Sequence, residues 1–220
     1  MKLREWLGIG PRRQRQFVRA MQLVLLGFVF IGLDRGDLRI VVNASVALGV
    51  TYLPAVLERD YGVPLDAGLT LWITLAVFLH AIGTTGLPGW EGGLYDSVPW
   101  WDNLTHALSA SVVAAVGYAT ARAIDAHSDA VYLPPRFTFV FVLLFVMAFG
   151  VLWEVLEFAI GEAATAFGFQ AVLIQHGIAD SMTDLIFDAV GAVVVGTWGQ
   201  LHRRLDRVVD SLVGRVGEGA

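Results

Sequence analysis

The chain has 220 residues, with 15 Lys and Arg, 20 Asp and Glu, five His and no Cys. Hydrophobic residues make up 56% and charged residues 16%, against about 25% charged in an ordinary soluble domain. These figures exclude a disordered chain, a disulfide scaffold, a Cys-ligated zinc site and thiol catalysis. They point to an all-α, polytopic membrane protein.

Crossing about 30 Å of hydrocarbon takes about 20 apolar residues of helix. Six stretches meet that need: Phe17–Leu33, Leu38–Leu57, Ala67–Leu87, Trp101–Ala121, Phe137–Ala159 and Ser181–Gln200. Residues 17–202 thus form one six-helix transmembrane domain. Before it lies a basic segment, 1–16, and after it a tail, 203–220. Pro54 is expected to kink or end the second span. The breaks are rich in Gly and Pro, as at Leu87-Pro88-Gly89 and Leu133-Pro134-Pro135. The basic start, Lys2 to Arg19, is longer than a signal-peptide n-region, and no small-residue cleavage pattern follows the first apolar run.

Six spans place both termini on one side. With both in the cytoplasm, every Lys and Arg falls inside except Arg35 and Arg39. That bias is what the positive-inside rule requires. The expected location is therefore the plasma membrane, with cytoplasmic termini and membrane lipids as partners. No basic stripe suited to nucleic acid is present. Trp6 among the early arginines reads as a cytoplasmic surface helix. Trp90, Tyr95, Trp100 and Trp101 read as an interfacial aromatic belt. His127 and His202 fall on the cytoplasmic side, where solvent reaches them.

Ionisable residues inside the spans are costly and usually functional. On this map His80 lies near the outer end of the third span. Asp102 and His106 open the fourth on one helix face. Glu154 and Glu157 lie near the outer end of the fifth. Asp180, Asp184 and Asp188 open the sixth at i, i+4 and i+8. At 1.5 Å per residue all lie within about 10 Å of the outer boundary. So many carboxylates at one depth repel one another unless compensated. Their compensation is shared protons, imidazolium, a bound cation, or Arg35 and Arg39. Two His with carboxylates and no Cys suit Zn, Mn or Fe better than Mg or Ca. Singly, each acid also reads as an interfacial residue, and Asp102 and Asp180 also read as helix N-caps. The joint pattern favours a site.

The same residues carry a resemblance. Leu79-His80-Ala81-Ile82-Gly83, Trp101-Asp102 with His106, Trp153-Glu154 with Glu157, and Asp180 with Asp184 ahead of Gly191-Ala192 resemble the YjdF-like membrane proteins, over about residues 70–195. The likeness is to a pattern L-H-x-I-G, Y-D-x-x-x-H, W-E-x-x-E-W and D-x-x-x-D. This chain has Trp101 for Tyr, Phe158 for Trp, and an additional Asp188. VanZ-like proteins are more distantly similar. The resemblance supports the choice of residues and implies no reaction.

Three functions fit these residues. One is a metal-dependent enzyme acting on a lipid or lipid-linked group in the outer leaflet. Its metal ligands would be drawn from His80, Asp102, His106, Glu154, Asp180 and Asp184, with Glu157 as general base. Residues Glu91–Trp101 would form a lid or a head-group contact. The second is a proton- or cation-coupled transporter, although few polar residues (Asn43, Ser45, Thr74) continue a path inward. The third is a non-catalytic sensor or partner subunit. His176, in the last outer loop, would be a pH-sensitive rim residue or have no role.

Overall fold

The computed structural model describes residues 10–63, 65–86, 92–127, 132–173, 175 and 177–217, with side chains to residue 198. Trp6, Trp90, Glu91, His176 and the side chain of His202 lie outside the described residues. The described residues form seven helices and no strand: α1 (Pro11–Arg35), α2 (Leu38–Tyr61), α3 (Ala67–Thr85), α4 (Leu94–Ser97), α5 (Trp101–His127), α6 (Pro135–Phe167) and α7 (Ile178–Gly217). Among them α1, α2, α3, α5 and α6 are long and apolar enough to cross a membrane. The sixth expected span falls in the first half of α7, whose apolar stretch starts among Asp180, Asp184 and Asp188. The outward faces carry large apolar side chains, such as Leu23, Phe30, Val46, Leu144 and Trp198. So broad an apolar exterior suits lipid rather than water.

Local chemistry sets the helix ends. Pro11 occupies the first turn of α1, where no N–H partner is needed. Gly36, at φ 63°, closes α1 in the left-handed region, and Asp37 N–H returns to the Gly32 carbonyl at 2.9 Å. Asp37 then caps α2 by accepting from Arg39 N (2.9 Å) and Ile40 N (3.3 Å). Asp66 does the same for α3, accepting from Leu69 N at 2.9 Å. The last turn of α2 carries an exposed fork of Arg59 on Asp60. It raises the guanidinium and holds the Asp60 carboxyl below the usual range.

Several helices differ from their expected bounds. Pro54 does not end α2, which runs on to Tyr61. The lost backbone hydrogen bond is tolerated inside a helix packed against its neighbours. α5 continues past Ala121 to His127, helped by Arg122 on Asp125 at 2.7 Å and by Asp125 accepting from Leu133 N at 2.8 Å. α7 continues through residues 203–217, expected as a tail.

The chain divides into two compact units. The first comprises residues 1–105 and 153–181. There α1, α2 and α3 pack on one another around Leu25, Phe28, Ile40, Ala44, Ala47 and Ala81. Gln22 of α1 donates to the Thr51 hydroxyl of α2 at 3.0 Å. The second comprises residues 106–152 and 182–220. Its core is Ala110, Ala114, Val142, Val146 and Ala192. Glycines let backbone and rings come close: Gly117 against Phe145, Gly196 against Phe139, and Gly191 against the Ala107 carbonyl.

Candidate functional site

The second unit brings one histidine between two carboxylates. His106 sits in the second turn of α5, and Asp184 and Asp188 sit one turn apart on α7. All three are nearly sealed, with side chains 11%, 3% and 8% exposed. His106 Nδ1 is 3.3 Å from Asp188 Oδ1 and makes a hydrogen bond with it. His106 Nε2 lies 3.9 Å from Asp184 Oδ1, too far for a direct hydrogen bond. His106 and Asp184 both offer atoms to a group able to hold a metal ion. Asp102 stands one turn ahead of His106 on α5 itself. A ring nitrogen and carboxylate oxygens are a donor set for a divalent transition metal.

The first unit holds a cavity of about 430 Å³. Four expected site residues line it: His80 of α3, Asp102, Glu157 and Asp180. Arg39 and Asn43 of α2 and Tyr95 of α4 line it too. Tyr95 Oη is 2.6 Å from His80 Nδ1 and donates to the Thr105 hydroxyl at 3.3 Å. The His80 ring also meets Trp153 edge-on at 6.1 Å. Trp153 Nε1 donates to Glu157 Oε1 at 3.0 Å. Gly83 makes this wall possible, because a Cβ there would collide with the Tyr95 ring and the Trp101 indole. Trp101 Nε1 in turn donates to the Leu79 carbonyl at 3.1 Å. Tyr95 and Trp101 therefore bond into the fold, whereas Trp100 is exposed.

Glu154 is buried, and its Oε2 has no hydrogen-bond partner among the described residues. His127 is exposed, with Nδ1 2.9 Å from the Ala123 carbonyl.

Sequence reasoning missed three contributors. Asp188 looked supernumerary, although its i+8 spacing places it on the face of Asp180 and Asp184. Tyr95 looked interfacial, and nothing in the sequence pairs it with His80. Asn43 looked like one of the few polar residues on a path inward. Arg39, one of two basic residues expected on the outer side, stands in the cavity wall with Asp102, Glu157 and Asp180.

No curated protein and no solved structure matches the chain. The family described as "Predicted membrane protein (DUF2238)" matches residues 17–205, nearly the whole described length, and the chain belongs to that family.

Proposed function

We propose that this is a six-span protein of the plasma membrane, with both termini cytoplasmic, that holds a divalent metal near the extracytoplasmic face and acts on a lipid or lipid-linked group. One observation carries the metal reading. His106 presents its two ring nitrogens to two buried carboxylates, Asp188 and Asp184. An ionised carboxylate only accepts hydrogen bonds, and a neutral imidazole has one N–H to give. The nitrogen facing Asp184 stands 3.9 Å from its Oδ1, beyond a direct hydrogen bond. These two residues would hold the ion. Asp102, a ligand candidate from the sequence, precedes His106 by one turn on α5. His80, Glu154 and Asp180 remain further ligand candidates. The donor set favours Zn, Mn or Fe.

A bound ion of this kind polarises a phosphoryl or carbonyl oxygen and acidifies water. Glu157, held by Trp153 and lining the first unit's cavity, is the candidate general base. Arg39 in the same wall offers a donor to an anionic head group. The cavity volume falls within the usual range for small-molecule sites, about 300–1,000 Å³. At these residues the chain resembles the YjdF-like and, more distantly, the VanZ-like membrane proteins.

The buried Glu154 carboxyl, with Oε2 lacking a hydrogen-bond partner, favours a second reading as a proton-carrying group of a cation-coupled pathway. Elemental analysis of the purified protein separates the two. A transition metal near one per chain, lost in His106→Ala and retained in His127→Ala, supports the site. A metal-free wild type discards it in favour of the pathway.

A further inference from the structure

We infer that Asp188 is the positioning residue of this site: it fixes His106 in the tautomer with its proton on Nδ1, and Gly150 supplies the space in which it does so. The use of that tautomer rests on the metal reading above; the tautomer itself does not.

The hydrogen bond between His106 Nδ1 and Asp188 Oδ1 spans 3.3 Å in a setting where both side chains are about nine-tenths buried. The ionised carboxylate accepts and cannot donate, so Nδ1 carries the proton. In the neutral ring Nε2 is then the basic nitrogen, on the side of Asp184. The opposite tautomer sets a lone pair against Asp188 and loses the bond. Histidines that ligate metals commonly carry such a carboxylate on the far nitrogen, which fixes ring orientation and raises basicity.

Asp188 reaches this position because of a gap in α6. A Cβ on Gly150 would overlap Asp188 Oδ2 and crowd Leu185 Cδ2 at 2.9 Å. The carboxylate occupies the room that a side chain would fill. Gly in a helix interior is less favourable than Ala, and at Gly150 it leaves the room that the carboxylate fills. Asp184 has a different neighbour on the imidazole, Nε2 rather than Nδ1. The two aspartates of α7 therefore divide the roles of ligand and orienting group.

The test uses the full-length protein in detergent, labelled with 15N-histidine, with the His106 signals assigned by their loss in His106→Gln. In its neutral form wild-type His106 should show a protonated Nδ1 and an unprotonated Nε2. Asp188→Asn keeps the shape but can donate as well as accept, so the Nε2–H form should appear. Zinc affinity should fall about 10–100-fold, the usual effect of losing an orienting group. Gly150→Ala should shift both readouts the same way, and where it fails to fold Asp188→Asn carries the test alone. A wild-type His106 protonated on Nε2 only overturns the inference. So does an Asp188→Asn protein with unchanged tautomer and zinc affinity. A wild type that holds no metal but keeps the Nδ1–H tautomer, lost in Asp188→Asn, supports the inference and removes the metal reading instead.

Discussion

Asn43 of α2 donates through Nδ2 to the Val172 carbonyl at 2.9 Å, joining residues 129 positions apart. The same nitrogen donates to the Arg39 carbonyl one turn back, also at 2.9 Å. The side chain therefore ties the segment before α7 to the start of α2, and both ends of the tie line the cavity. Asn43→Leu should leave the Val172 carbonyl without this donor at a cost of about 1–3 kcal/mol. Thermal unfolding in detergent should register the loss. An unchanged midpoint would show that this tie does not hold the wall.

Orientation follows from the placement of Arg and Lys. Reporter fusions at both ends should read cytoplasmic, and a reporter placed in the loop over 88–100 should read extracytoplasmic. A cytoplasmic reading for that loop would place the His and Asp residues on the other face of the membrane and remove the outer-leaflet substrate.

Metal content distinguishes ligand from bystander. His106→Ala and Asp184→Ala should each lower bound transition metal more than about tenfold, since losing a ligand costs at least as much as losing an orienting group. His127→Ala should match wild type, because its imidazole is exposed and meets the Ala123 carbonyl of its own helix. Equal metal in all three variants would show that the ion, if present, sits elsewhere.

The cavity wall depends on two residues acting together. Tyr95→Phe keeps the ring and removes the hydroxyl that meets His80 at 2.6 Å. It should destabilise by about 1–3 kcal/mol. Gly83→Ala inserts a methyl group where the Tyr95 ring and Trp101 indole already lie, and overpacking of this kind costs about 1–3 kcal/mol. Because both changes act on the same ring, the double variant should lose less than the sum. Strict additivity in unfolding midpoints would separate the hydroxyl from the packing.

How far the sequence foretold the molecule varies with the kind of force involved. Helical, membrane-spanning character was legible because apolar length and sparse charge are composition signals. His106 and Asp184 stood out because charge inside a span is costly wherever it lies. The pairing of His106 with Asp188 was hidden: it requires α7 to face α5 with a glycine of α6 behind the carboxylate, a relation among three separate segments. Tyr95 was hidden for a similar reason, since an aromatic near an interface looks the same whether it faces head groups or a histidine. Helix ends beyond the apolar stretch, as in α5, depended on contacts such as Asp125 with Leu133 N, which no periodicity announces.

The close approach of Gly191 to the Ala107 carbonyl has a consequence for the carboxylates that share its helix. Asp184, Asp188 and Gly191 follow one another at i, i+4 and i+7, so they form a single stripe along α7. Gly191 acts as a notch that lets α7 lie against the Ala107 carbonyl of α5, where a Cβ would collide. Turning α7 by even one residue, about 100°, would lift the notch off its ridge and swing both acids away from His106 in the same movement. Packing register and ligand aim are thus one mechanical coordinate. A substitution that fills the notch should detune the imidazole, although it lies one to two helical turns from it.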